Sequence, residues 1–259
     1  MRWSNPLTNG LLAAIFFCSA VAWMPAFQQS LSPSPTPTHS AGVAVSSPAR
    51  PQLPAQDTSK ESSPEFIVVI DPSHGGEDKG ATYLNKLVEK DFTLSFAREL
   101  RKELDDRGIS ARLLRETDIS LPMEKRAEIT NGQHNAIYVA IHAGLTGQGV
   151  RIYCSTLPAA VPSAGPFVPW SIAQSGALPR SRILAKAVVG ELQKKQLQVA
   201  RLNAPLRPLN NIITPAIAVE FSPKGADLRS PESLKMQNAV ASAVAAGIAA
   251  SRGQMGVHP

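Results

Sequence analysis

The stretch Phe66-Ile67-Val68-Val69-Ile70-Asp71-Pro72-Ser73-His74-Gly75-Gly76-Glu77 decides the fold. Four consecutive β-branched residues follow an aromatic one and stop at Asp71-Pro72 and a Gly pair. A short apolar run bounded in this way predicts a buried strand over 66–70. Downstream, Val88, Phe92, Phe96, Leu100 and Leu104 recur every four residues, with Arg98, Glu99, Arg101 and Lys102 off that stripe. This spacing predicts an amphipathic helix that stops at Gly108. The alternation continues. Strands are expected over 111–114, 136–141, 150–155 and 215–220, and helices over 122–131, 182–196 and 233–251, the last burying Val240, Val244 and Ile248. Residues 157–180 carry five Pro and read as a loop; a flexible lid fits that composition, and no long autoinhibitory helix is evident there. Strands alternating with helices imply an α/β fold, an open, twisted, largely parallel sheet with helices on both faces.

Composition narrows the class. At ~150 residues per domain, 259 residues allow one domain plus appendages or two small ones. Hydrophobic residues are 43% of the chain and charged ones 18%, enough for a packed core. Only two Cys are present, which excludes a disulfide scaffold and a Cys-based zinc cluster. The net charge of +6 is spread along the chain, with no run of five basic residues and no aromatic–cation alternation. Nucleic acid is therefore not an expected partner.

The ordered domain is expected at 65–259. Residues 1–27 begin with Arg2 and continue as an apolar stretch from Leu11. Its length suits a signal peptide, and Ala20 and Ala22 provide an A-x-A-like cleavage site. Extended to Phe27 the stretch reaches 17 residues, so an uncleaved anchor is the alternative. Phe16 and Phe17 precede Cys18, which argues against lipidation. After cleavage Cys154 stands alone, and a buried, inert thiol is expected. Residues 28–64 hold seven Pro and nine Ser, too few large apolar side chains for a core, and read as a disordered linker. A signal, a tether and a domain form the layout of an exported protein, periplasmic or cell-wall associated; the membrane is a partner only if the first segment stays uncleaved.

The chemistry-bearing residues fall at strand ends. His74 lies beyond the first strand, His142 beyond the 136–141 strand, and Glu220 closes the 215–220 strand. Glu89 opens the helix after the first strand. In a parallel sheet these positions share one edge, where ligands bind. Two imidazoles and one carboxylate suit a catalytic Zn²⁺, which leaves a fourth position for water. A second carboxylate suits the proton transfers of amide hydrolysis. Glu77 competes with Glu89 as third ligand, because His74-Gly75-Gly76-Glu77 has an H-x-x-E spacing. His39 in the linker, His134 in a polar turn and His258 at the terminus read as solvated.

Residues 67–81 resemble the opening motif of zinc-dependent N-acetylmuramoyl-L-alanine amidases, bacterial cell-wall hydrolases of the Amidase_3 type. Val88-Glu89-Lys90-Asp91 is similar to the family's glutamate motif. Leu114-Arg115-Glu116-Thr117-Asp118, with Leu121, Arg126, Ala127 and Asn131, is similar to the next stretch. Ala140-Ile141-His142-Ala143 resembles the second histidine motif, and Pro215-Ala216-Ile217-Ala218-Val219-Glu220-Phe221 the segment with the catalytic glutamate. The resemblance runs in order from about 66 to 248. It implies Zn²⁺ on His74, Glu89 and His142, which favours Glu89 over Glu77, and Glu220 as general base and acid. It further implies an open α/β sheet and hydrolysis of the amide between N-acetylmuramic acid and L-alanine in peptidoglycan, in wall remodelling or cell separation. A protein activator is a further expected partner. Ser73 stands where the family usually has Gly, Gly144 where Asn is common, and Phe221-Ser222-Pro223-Lys224-Gly225 replaces the usual Gly-Phe-Leu-Ser-Asn. Two alternatives stand beside the amidase: a catalytically weak peptidoglycan-binding protein, and a zinc carboxypeptidase on stem peptides, using Glu77 and a cation such as Arg115, Arg126 or Arg207.

Overall fold

The computed structural model describes residues 66–83, 86–133, 135–157, 168–222 and 227–255. The expected signal segment and linker, His39, His134 and His258 lie outside the described residues. Six strands form one sheet: β1 (Ile67–Pro72), β2 (Ser110–Leu113), β3 (Ala136–Ala143), β4 (Gly149–Ser155), β5 (Val199–Ala204) and β6 (Ala216–Ser222), in the order β2-β1-β3-β6-β4-β5. Helices α1 (Glu89–Asp105), α2 (Met123–Asn131), α3 (Leu178–Lys194) and α4 (Pro231–Ser251) cover it. Among the described residues, no helix is long and apolar enough to cross a membrane.

Period-2 alternation sorts each strand's side chains onto two faces. Val68 and Ile70 of β1, Ile137, Val139 and Ile141 of β3, and Ile217, Val219 and Phe221 of β6 join one core with Phe92, Phe96, Leu100 and Leu104 of α1 and with α3 and α4. Val69, Tyr138, Ala140, Ala216 and Ala218 face the other way, against Ala127 of α2 and Leu209 and Ile212. Among the described residues, that second face carries α2 and two 3-10 segments, Leu209–Asn211 and the Trp170–Gly176 stretch bonded to it, but no long helix. It is the face on which a cleft has room to open.

Strands β2, β1, β3 and β6 are mutually parallel, whereas β4 runs antiparallel to β6 and carries β5 parallel to itself. The reversal follows from chain length. Only residues 144–148 join β3 to β4, and a parallel return needs a crossover of about a dozen residues or more. From β2 the chain passes β1 to reach β3, so α1 and α2 sit on opposite faces and the strand order reverses between β1 and β3. Open α/β sheets bind ligands at such a reversal, beyond the strands' carboxyl ends.

Two expectations need correction. β5 was absent from the strand pattern because Val199–Ala204 is a largely exposed edge strand with little alternation. The expected 157–180 loop is partly helical: a kinked 3-10 stretch, Trp170–Gly176, leads into α3 at Leu178. Pro179 looks like a breaker but stands in the first turn of α3, where a missing N–H costs nothing.

Candidate active site

The loop after β1 is held from below by buried cations. Arg115, 1% exposed, donates to the carbonyls of Pro72 (2.9 Å), Ser73 (3.2 Å) and Lys90 (2.6 Å). Arg126 forms an ion pair with Asp71 and donates to the carbonyl of His74 (2.9 Å), while Tyr138 donates to the same Asp71 carboxylate. Buried carbonyls at a strand end need donors, and these side chains supply them. The loop itself is tight. His74 has φ 65, a left-handed value costly for a non-Gly residue. Gly80, at φ 63, leaves room for the site: a Cβ there would lie 2.6 Å from the His74 ring and 2.7 Å from Glu89 Oε2.

His74, Glu89 and His142 converge on this loop, with one ligand atom from each within 4.8 Å of the others. His74 Nε2 lies 3.1 Å from Glu89 Oε2, and His142 Nδ1 lies 3.3 Å from Glu89 Oε1. The two rings stand nearly perpendicular, 5.9 Å apart between centroids. Each imidazole is oriented through its other nitrogen: His74 Nδ1 meets Asp78 Oδ2 at 2.8 Å, and His142 Nε2 meets Ser73 Oγ at 2.9 Å. Outer hydrogen bonds of this kind set the tautomer of a metal-binding histidine. The donor set of two imidazole nitrogens and one carboxylate suits a divalent transition metal. Glu77 is exposed and outside the group.

Glu89 enters because α1 starts there. Its backbone N–H donates to the Ala81 carbonyl (2.8 Å), and its carboxylate accepts from the backbone N–H groups of Ala81 and Ala143, both at 3.0 Å. Burial alone would raise its pKa, but the bonds with His142 and His74 and the two backbone donors prevail, holding the carboxyl well below the usual range. The Glu89 contact raises the His74 pKa; burial opposes this and Asp78 adds to it.

Glu220 lies one strand over, its Cα paired with that of His142 on β3 and, across the other edge of β6, with that of Arg151 on β4. All three side chains project from the thinly covered face. The Glu220 carboxylate forms an ion pair with Arg151 and accepts from Tyr153 (3.1 Å) and Ser222 (3.3 Å). A cleft lined by Ser73, His74, His142, Leu121, Met123 and Arg207 opens beside the histidines.

The sequence pattern located His74, Glu89, His142 and Glu220 at one sheet edge, and the structure puts them there. It missed the roles of Arg115, Arg126 and Asp71, although a motif contained both arginines; a buried Arg shows no hydropathy signal. Arg151 and Tyr153 were missed because their strand pairing is long-range. Ser73, read only as a small replacement, orients His142. Cys154 is free and 1% exposed, and burial pushes its thiol pKa up.

Residues 68–250 match the model of the Amidase_3 family, N-acetylmuramoyl-L-alanine amidase, and the chain belongs to that family. A stretch of 84 residues, 32% of the chain, is 39% identical to the N-acetylmuramoyl-L-alanine amidase AmiA of Escherichia coli. That match spans 29% of AmiA, so the chain covers under a third of this relative's length. Among solved structures, the amidase AmiC2 of Nostoc punctiforme superposes with a TM-score of 0.55 at 27% identity, over 71% of this chain and 96% of that one. The amidase Ami1 of Mycobacterium smegmatis gives 0.58 at 22% identity, over 74% and 100%, a likeness of fold.

Proposed function

We propose that this protein is an exported zinc amidase that hydrolyses the bond between N-acetylmuramic acid and L-alanine in peptidoglycan, acting in the periplasm or at the cell wall. The observation that carries the reading is the His74–Glu89–His142 cluster at the reversal of strand order, inside a domain of this family. His74 Nε2, His142 Nδ1 and the Glu89 carboxylate would hold the Zn²⁺. When bound, the metal supplies Lewis acidity at the amide carbonyl and a water of pKa about 7. Glu220 takes the proton of the attacking water and passes it to the leaving amine of L-alanine. Asp78 and Ser73 keep both imidazoles in the ligating tautomer. Leu121 and Met123 give the cleft apolar side chains, and Arg207, an exposed residue of the same lining, offers a cation to the acidic peptide. A protein activator belongs to the same proposal.

The carboxypeptidase reading retains one observation in its favour, the place of Arg207 in the cleft, while Glu77 lies outside the cluster. Mass spectrometry of products from purified peptidoglycan, with and without chelator, separates the readings. The amidase releases a peptide headed by L-alanine and leaves muramic acid bare. A shortened peptide still on muramic acid indicates the carboxypeptidase, and retained wall binding without product indicates a binding protein. Either result, or full activity in a metal-free preparation, overturns the proposal.

A further inference from the structure

Glu220 stands between two neighbours at the same level of the sheet, His142 on β3 and Arg151 on β4. A glutamate has three side-chain torsions, and fixing them costs conformational entropy. The carboxylate is nevertheless tied down on one side. Arg151 pairs with Oε1 and also donates to Ser222 Oγ at 2.9 Å. Ser222 contacts the same Oε1 at 3.3 Å, while Tyr153 donates to Oε2 at 3.1 Å. Arg151 is itself anchored, through its second nitrogen, to the Thr146 carbonyl at 3.0 Å.

Two glycines of the β3–β4 loop make room for this arrangement. A Cβ at Gly144 would lie 2.5 Å from Glu220 Oε1 and 2.7 Å from Ser222 Oγ. A Cβ at Gly147, which has φ 92, would collide with the guanidinium of Arg151. Each carboxylate oxygen has two lone pairs. On Oε1 both are taken, by Arg151 and Ser222. On Oε2 one is taken, by Tyr153, and among the described residues no second donor is bonded to it.

We propose that Arg151 is a positioning residue: from the adjacent antiparallel strand it locks Oε1 of Glu220, which leaves Oε2 as the oxygen that exchanges the proton. This rests on the reading of Glu220 as proton shuttle. Placement is the quantity at stake, because a misplacement of about 1 Å can cost ~10²-fold in rate. The planar fork of Arg fixes a carboxylate in a way that the point charge of Lys does not.

The test uses the full chain loaded with zinc, with turnover on muropeptides, zinc content and thermal stability measured on each preparation. Arg151→Met should lower kcat by ~10–100-fold with KM and zinc content unchanged, and Arg151→Lys should recover part of the loss. Gly144→Ala retains the charge but displaces the carboxylate, and should also lower kcat. In a Glu220→Gln background Arg151→Met should cost nothing further, since both changes act through one carboxylate. The proposal is overturned if Arg151→Met keeps or exceeds the parent kcat, if its loss lies in KM or zinc content, or if the loss persists undiminished beside Glu220→Gln. If Glu220→Gln alone keeps full turnover, the shuttle reading fails, and the Arg151 proposal fails with it. If Glu220→Gln is impaired while Arg151→Met is not, only the positioning role is lost.

Discussion

Glu89 is 5% exposed yet bonded to two imidazoles and two backbone N–H groups, so its carboxylate is committed to the ionised form before any metal arrives. Removing it deletes one proposed ligand and leaves two imidazoles without their shared acceptor. Glu89→Ala should abolish zinc retention, whereas Glu77→Ala, at an exposed position, should leave zinc content as it was; metal analysis after dialysis checks both. Ser73 and Asp78 act at one remove. Ser73→Ala and Asp78→Asn should each weaken zinc affinity by ~10–100-fold, the usual effect of losing an outer hydrogen bond to a ligating histidine, read by competition with a chromophoric chelator. Glu220→Gln keeps size and leaves all three proposed ligands in place. Zinc content should be retained, while turnover should drop ~10²–10⁴-fold. A variant that lost zinc would show Glu220 to be a ligand. At this scale the sequence located the strand-end histidines and glutamates, because position after an apolar run is a local signal. It was silent on what each side chain bonds, since Ser73 to His142 spans 69 residues.

Helix α1 joins sequence periodicity to site geometry. The buried row Phe92, Phe96, Leu100 and Leu104 pins the helix to the sheet and so fixes where Glu89, one turn before Phe92, enters the site. Leu100, 0% exposed, should cost ~2–5 kcal/mol when cut to Ala, measured by denaturant unfolding. Helices α3 and α4 meet more closely. Gly247 in α4 faces Val188 of α3, and a Cβ there would lie 2.6 Å from the Val188 Cα and 2.8 Å from its backbone nitrogen. Helix propensity alone favours Gly247→Ala by ~1 kcal/mol. Overpacking against backbone should reverse the sign, with a net loss of ~1–3 kcal/mol in unfolding free energy. Periodicity exposed α1 because it has a wet face and a dry one, and α4 because Val240, Val244 and Ile248 recur every four residues on a side that packs into the core. β5 escaped it because an edge strand buries little, and the start of α3 because Pro179 carries the same letter as a breaker and as a first-turn residue.

For the whole molecule, domain and expected tether should be separable. Residues 28–64 carry the composition of a linker, and 37 extended residues reach at most ~130 Å. Deleting them should leave the rate on soluble muropeptides unchanged; a large fall would mean that the segment packs on the domain. Alternation of apolar runs, stripes and Gly or Pro stops was enough to call for a layered α/β domain, because hydropathy patterns report which side of a local element is dry. It also set the site's edge, since chain direction puts every residue after a parallel strand at the same end. What had to await the assembled sheet is the order of the strands and the partners Arg151, Tyr153 and Ser73 around the central residues. Those depend on which strands come to lie side by side. Such pairings are settled by the closing of one core over residues far apart in the chain, and a local pattern carries no record of them.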